Sequence, residues 1–144
     1  MITIICIGKI KEKYIDDMID DYSKRLSKYH KLNIVELKED TLVNEKNDII
    51  KHLDSKSYVI SLDIDGKLLD SVELSKVIND GLTYNSNITF IIGESLGLHE
   101  DIKKLSNLRL SFGKMTYPHG LFRAILLEQI YRSFKIINNE SYHK

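Results

Sequence analysis

Apolar and polar positions fall into blocks along this chain, and each block carries the period of either a strand or a helix. Ile2 to Ile7 is a short run dominated by isoleucine and ended by Gly8, the pattern of a buried strand. The period then changes. Ile15, Met18, Ile19, Tyr22, Leu26 and Tyr29 recur at helical spacing with Asp16, Asp17, Asp20 and Lys24 opposite them, which predicts an amphipathic helix of about four or five turns. Leu32 to Leu37 alternates weakly as a strand, and Glu45 to Leu53 fits a short surface helix. Ser57 to Asp63 reads as the next strand, with Asp65-Gly66 as a turn signal. Asp70 and Glu73 have the spacing of a capping box ahead of Leu74, Val77, Ile78 and Leu82, and Asn79-Asp80-Gly81 supplies a stop. Ile88 to Ile92 and Leu108 to Ser111 are the last strands, with a short helix from His99 to Leu105 between them.

The final helix, from His119 to about Ile137, breaks the amphipathic rule. Leu121, Phe122, Ala124, Ile125, Leu126, Leu127, Ile130, Tyr131, Phe134, Ile136 and Ile137 fall around most of its circumference, and only Glu128, Arg132 and Lys135 form a clear polar edge. A helix lying on one face of a sheet needs only an apolar stripe, so a second partner must cover much of the remainder. That partner is either the rest of the domain or another copy of the chain. The alternation of strands and helices predicts an α/β fold of parallel βαβ units, with roughly five strands and helices on both faces of the sheet.

Composition narrows the picture. A chain of 144 residues with 42% hydrophobic content suits one globular domain spanning 1–144, which buries roughly two-thirds of the surface its unfolded form would expose. A single proline and the lack of Ser/Gly-rich tracts argue against a linker. The one cysteine, Cys6, lies in the first apolar run and reads as a small buried hydrophobe, a usage that suits a reducing cytosol. The N-terminus is apolar before it is basic, and no apolar run approaches the ~20 residues needed to cross a bilayer, so a soluble cytoplasmic protein is expected. Net charge is zero, but from Leu108 to Lys144 six basic residues face two acidic ones. A solvated helix face is the commoner cause of such a run, yet this excess, together with His119 and His143, lies in the glycine-loop half of the chain, where an anionic RNA would be steered toward a site.

Candidate chemistry concentrates between Ile88 and Tyr131. The strand Ile88-Thr89-Phe90-Ile91-Ile92 runs into Gly93-Glu94-Ser95-Leu96-Gly97-Leu98, and Leu108 to Ser111 runs into Phe112-Gly113-Lys114-Met115-Thr116-Tyr117. Two loops therefore leave the same edge of the sheet. In an open parallel sheet, ligands bind outside the carboxyl ends of the strands. The first loop lacks the lysine and hydroxyl of a Walker A loop and does not fit the dinucleotide fingerprint, which disfavours a phosphate cradle. Taken alone, a strand-glycine-helix junction is more often a tight turn.

The larger pattern is more specific. Ile7-Gly8-Lys9, Lys11-Glu12-Lys13-Tyr14, Phe90-Ile91-Ile92-Gly93, Gly97-Leu98-His99, Leu110-Ser111-Phe112, Lys114-Met115-Thr116, Pro118-His119, Arg123, Glu128-Gln129, Tyr131-Arg132 and the terminal Tyr142-His143-Lys144 together resemble the ribosomal large-subunit pseudouridine methyltransferases of the SPOUT class. The resemblance covers nearly the whole chain. Two departures stand out: the family usually carries a second glycine where this chain has Glu94, and the segment from Glu39 to Asp54 is shorter than is common.

The resemblance implies a homodimer with S-adenosylmethionine held at the interface by a deep C-terminal trefoil knot, and methyl transfer to ring nitrogen 3 of a pseudouridine in a large-subunit rRNA stem-loop on the ribosome. It places the cofactor contacts at Leu62, Gly93, Phe112, Gly113, Lys114, Met115, Thr116 and Tyr117. Adenine is a flat ring with donors and acceptors on its edge, so an extended loop with apolar side chains suits it. The sulfonium already makes the methyl group electrophilic, so no metal is expected, and the five histidines show no ligand spacing. His143 and Tyr142 are the implied catalytic residues, offering a titratable imidazole and an aromatic face for a base, while Lys144 is a candidate for RNA contact and Arg123 and Arg132 for RNA or interface contact. Arg132 has a second possible partner in Glu128, one turn earlier. The short connector Asn138-Asn139-Glu140-Ser141 would let the tail leave its helix and complete the pocket of a second copy. Three other readings stay open at this point: a same-fold enzyme with a different RNA target, a ribosome-binding module weakened by Glu94, and an unrelated nucleotide-binding α/β protein.

Overall fold

The computed structural model describes residues 1–94, 96–118 and 120–144. Five strands, β1 (Ile2–Ile7), β2 (Leu32–Leu37), β3 (Tyr58–Leu68), β4 (Ile88–Ile92) and β5 (Leu108–Ser111), alternate with five helices, α1 (Lys13–Ser27), α2 (Leu42–His52), α3 (Ser71–Asn85), α4 (Glu100–Leu105) and α5 (Leu121–Ile137). The strands form one sheet in the order β2-β1-β4-β3-β5, and every pairing is parallel. The expected α/β architecture of five parallel strands is therefore present.

Strand periodicity assigns the two faces. Ile2, Ile4 and Cys6 join Ile15, Ile78 and Leu127 in a core beneath α1, α3 and α5, whereas Ile5 and Ile7 join Ile49 and Ile102 in a smaller core beneath α2 and α4. Alternating residues of one strand thus serve opposite faces, which is why its sequence is a continuous apolar run. Helix α5 packs against both α1 and α3 and buries eight of its residues, so much of its all-round apolar surface is covered within the chain. Leu121, Phe122, Ile125, Ile136 and Ile137 stay partly exposed. None of the described helices is long and apolar enough to cross a membrane.

Three element boundaries differ from the sequence reading. Helix α2 starts at Leu42, because the Thr41 side chain accepts a hydrogen bond from the Asn44 amide and caps it. Helix α3 has the expected capping box at Asp70 and Glu73 but runs through Asn79-Asp80-Gly81 to Asn85. Gly81 is a packing residue: a Cβ there would lie 2.8 Å from Ile88 Cδ1, so the glycine lets α3 approach β4. Strand β3 continues past Asp65-Gly66 to Leu68, with an irregularity, since Leu62 and Lys67 both pair with Leu110. The turn signal was real, but it marks an excursion of residues 63–66 inside a longer strand. The start of the last helix at His119 lies outside the described residues; α5 is described from Leu121, with Gly120 as its N-cap.

Candidate functional site

Beyond the carboxyl ends of β1, β3, β4 and β5 lies a cleft of about 500 Å³. Seven of the eight expected cofactor residues line it: Leu62, Gly93, Phe112, Gly113, Met115, Thr116 and Tyr117. Lys114 does not. Leu62 closes the regular part of β3, Gly93 follows β4 directly, and residues 112–117 follow β5. Gly120, Phe122 and Arg123, at the start of α5, form the remaining wall.

Backbone geometry explains the glycines. A Cβ on Gly93 would lie 2.4 Å from the Gly97 carbonyl oxygen and 3.0 Å from Leu98 Cδ2, so the loop closes on itself only because residue 93 has no side chain. The Gly97 amide then donates to the Glu94 carbonyl at 2.7 Å. Gly113 has φ +104°, outside the range that L side chains ordinarily adopt, and a Cβ there would meet nothing within 4 Å. Residue 113 thus borders open space in the cleft, leaving backbone accessible to a flat ligand. The aromatic wall comes from Phe112 and Tyr117, packed on Phe122 at centroid distances of 5.0 and 5.5 Å. Met115 is 79% exposed at the mouth.

The β3 excursion braces the other wall. Asp63 accepts the Asp65 amide at 3.0 Å and the Arg109 Nε at 2.8 Å, and Lys103 Nζ lies 4.0 Å away. Burial, the largest single influence on this carboxyl, pushes its pKa up, but those donors and cations outweigh it and hold Asp63 below the usual carboxylate range. Gly66 permits the contact with β5, since a Cβ there would lie 2.5 Å from the Arg109 carbonyl oxygen. Ser111 Oγ donates to the Ile64 carbonyl at 2.9 Å and accepts the Gly113 amide at 3.1 Å. These residues were missed by sequence reasoning; the adjacent Asp-x-Asp-Gly string signalled a turn and nothing more.

Arg123, a candidate for RNA or interface contact, has partners within its own chain. It is buried in the cleft wall, ion-paired with Glu36, and donates to the Gly8 carbonyl at 3.1 Å. Its guanidinium therefore ties α5 to the ends of β1 and β2. Cys6 lines the same floor and is free; burial pushes its thiol up to about 11, and its Sγ lies 3.5 Å from the Val35 carbonyl. Among the described residues, no group of three or more His, Cys, Asp or Glu could hold a metal ion.

The two implied catalytic residues do not line the cleft of their own chain. Tyr142 packs edge-on against Tyr131 at 5.0 Å and lies under the Arg132 guanidinium at 4.7 Å. Arg132 Nη1 sits 3.1 Å from His143 Nδ1, while Arg132 also pairs with Glu128 at 2.6 Å. The pairing with Glu128 that the helix spacing offered is thus made, and the tail is stowed on the outer half of α5. Burial and the Glu128 charge push the Tyr142 hydroxyl above its ordinary value. Lys144 is exposed, and His119 lies outside the described residues.

With this geometry in hand, similarity to known proteins is informative. Residues 1–143 match the family described as "Predicted SPOUT methyltransferase". Ribosomal RNA large subunit methyltransferase H of Clostridium botulinum (strain Alaska E43) is 54% identical, with 99% of each chain covered. A putative ribosomal RNA large subunit methyltransferase H of Methanococcus maripaludis is 53% identical with the same coverage. A probable methylase family protein from Haemophilus influenzae has the same fold, with a TM-score of 0.55 at 14% identity, covering 99% of this chain and 70% of its own.

Proposed function

The chain belongs to the SPOUT methyltransferase family, and from that membership we propose that it transfers a methyl group from S-adenosylmethionine to ring nitrogen 3 of a pseudouridine in large-subunit rRNA. One observation carries the donor site. The expected cofactor residues come from β3, β4 and the segment after β5, far apart in sequence, yet seven of them line one cleft at the carboxyl edge of the sheet. The names of relatives about half identical to this chain, and alike in length, support the rRNA substrate.

The residues present fit the donor. Open space at Gly113, the apolar walls of Leu62 and Phe112, and loop backbone at both mouths suit a flat adenine and a thioether chain. When bound, the donor supplies an electrophilic methyl carbon on a sulfonium. The chain's own contribution is placement: an N3 nucleophile must be held in line with that carbon, and well-oriented reactants can recover several kcal/mol of the barrier. The proton on N3 must leave, and His143 is the proposed acceptor, with Tyr142 as a stacking face and Arg132 and Lys144 as phosphate contacts.

The active enzyme is proposed to be a homodimer of single-domain chains. Leu68, Leu96 and Met115 are each at least 66% exposed, and together with the partly exposed apolar side of α5 they would gain from a partner surface. The C-terminal part is read as a deep trefoil knot, a reading that rests on membership of the family. A cytoplasmic location follows from the ribosomal substrate.

Calorimetric titration with S-adenosylmethionine tests the donor, and mass-spectrometric mapping of rRNA from a deletion strain tests the target. Ribosomes lacking the relevant pseudouridine synthase should be poor acceptors, because a site that bonds the extra ring N–H leaves a buried partner unpaired when uridine occupies it. Equal methylation of both ribosome preparations refutes pseudouridine recognition.

A further inference from the structure

Outside the glycine loops, one charged group in the cleft wall stands out. The Asp63 side chain is 4% exposed and borders the cleft, yet it holds no ligand-facing role of its own, because its oxygens are taken up by Asp65, Arg109 and Lys103. What those contacts fix is the 63–66 excursion. Asp63 pins its first residue to β5 through Arg109, the Asp65 amide folds back onto the same carboxylate, and Gly66 rests on the Arg109 backbone. The excursion thereby presents the Ile64 carbonyl to Ser111.

Ser111 connects this brace to the loop after β5. Its hydroxyl has a single proton with two acceptors in reach, the Ile64 carbonyl at 2.9 Å and the Gly113 carbonyl at 3.3 Å, of which the shorter contact is to Ile64; its oxygen accepts the Gly113 amide at 3.1 Å. Gly113 is the residue with φ +104° and open space at its Cβ position. A hydroxyl that can turn freely would accept the Gly113 amide in many orientations; the Ile64 carbonyl favours one of them over the longer contact to the Gly113 carbonyl. The unusual backbone at residue 113 is held from outside its own loop.

We propose that Asp63 and Arg109 are positioning residues for the methyl donor, acting through Ile64 and Ser111 to hold Gly113 and the 112–117 segment in a ligand-ready conformation. Neither side chain needs to touch the donor. Arg109 is partly exposed and stands on a four-residue edge strand, so its removal leaves both hydrophobic cores untouched. This proposal rests on the donor-site reading above, but its conformational half stands without any ligand.

Two measurements separate them. In the ligand-free chain, hydrogen exchange over residues 111–117 should be at least fivefold faster in Arg109→Gln and Ser111→Ala than in the wild type, and Arg109→Lys should restore part of the protection. Exchange in β1 and α3 should be unchanged, which a general loss of stability would not allow. In calorimetry, Arg109→Gln and Ser111→Ala should each weaken S-adenosylmethionine binding about tenfold, with the double variant close to either single one because both act through one carbonyl. Single variants that exchange and bind like the wild type overturn the proposal, as does a double variant whose loss is the product of the two. Failure of the wild type itself to bind the donor overturns the donor-site reading, while the exchange arm still decides whether the brace holds the loop.

Discussion

Replacing Gly93 with alanine is the smallest perturbation that should disable the cleft. The added Cβ would lie 2.4 Å from the Gly97 oxygen, 2.7 Å from its carbonyl carbon and 3.0 Å from Leu98 Cδ2. Ordinary contact needs a displacement of about 1 Å, and two of the three atoms are backbone, so a rotamer change cannot absorb it. Gly97 cannot retreat freely: its amide is bonded to Glu94 and Leu98 is anchored in the smaller core. Losing that hydrogen bond costs about 1 kcal/mol, and overpacking adds roughly another 1 to 2 kcal/mol. Spread over the unfolding entropy of a chain this size, a loss of ~2 kcal/mol lowers the melting temperature by roughly 7 °C. The same shift moves backbone in the cleft, so donor affinity should fall at least tenfold, beyond what the modest destabilisation explains. Differential scanning calorimetry and donor titration check both numbers. Gly93→Ala that melts and binds like the wild type would show that the loop is pliable and remove Gly93 from the site. The comparison variant is Gly113→Ala, whose Cβ meets no protein neighbour, so any loss of stability there comes from backbone strain at φ +104°, while a loss of affinity also reflects the space the Cβ takes from the donor.

Glu94→Gly, which restores the residue usual in the family, should change donor affinity by no more than about 1.4 kcal/mol, roughly tenfold; a much larger gain in titration would mark this chain as a weakened enzyme. Cys6, with its thiol pushed up to about 11 by burial, should resist iodoacetamide in the folded state, since the thiolate fraction is on the order of 10⁻⁴ at pH 7. Its labelling, followed by mass spectrometry, should track unfolding, and complete modification of folded protein within minutes would contradict the buried placement.

Legibility from sequence followed the range of the interactions involved. The isoleucine run of β1 and the capping box of α3 are local signals, and the structure has both. Gly81 looks like a stop within its own helix but makes sense only against Ile88, a neighbour supplied by packing. Asp65-Gly66 turns as its residues predict, yet β3 resumes because Lys67 and Leu68 find Leu110 and Ser111 across the sheet. The cleft residues were placed by family resemblance, whereas the Asp63 brace was not, since Asp63 and Arg109 are 46 positions apart and neither carries a recognisable motif. Arg123 shows the same limit. An arginine in a basic segment suggested RNA or interface contact, and nothing local announced its intrachain partner Glu36, 87 positions away, or the burial of its side chain.

The placement of the tail sets up the most demanding prediction. The cleft lies at the start of α5, and the tail leaves from its end, 17 residues later. At 1.5 Å per residue the helix is about 25 Å long. His143 is six residues beyond Ile137, and six fully extended residues span at most about 21 Å. Extended back along α5, the backbone of residue 143 falls only a few ångströms short of the start of its helix, but in the structure the tail lies on the outer half of α5, off the cleft of its own chain. The tail is expected to work in the pocket of a second copy, after Tyr142 and His143 leave the Arg132 shelf. Deleting Tyr142, His143 and Lys144 should spare dimerisation and donor binding while reducing turnover on ribosomes. With His143 as general base, His143→Ala should slow turnover about 10²- to 10⁴-fold. The discriminating assay mixes a tail-deleted chain with a full-length chain carrying Gly93→Ala. In the heterodimer the intact tail meets the intact pocket only across the interface, so activity should return to roughly half that of a wild-type dimer, which has two composite pockets. Purified heterodimers that stay as inactive as either parent would refute the shared site, and would leave catalysis to groups already lining the cleft.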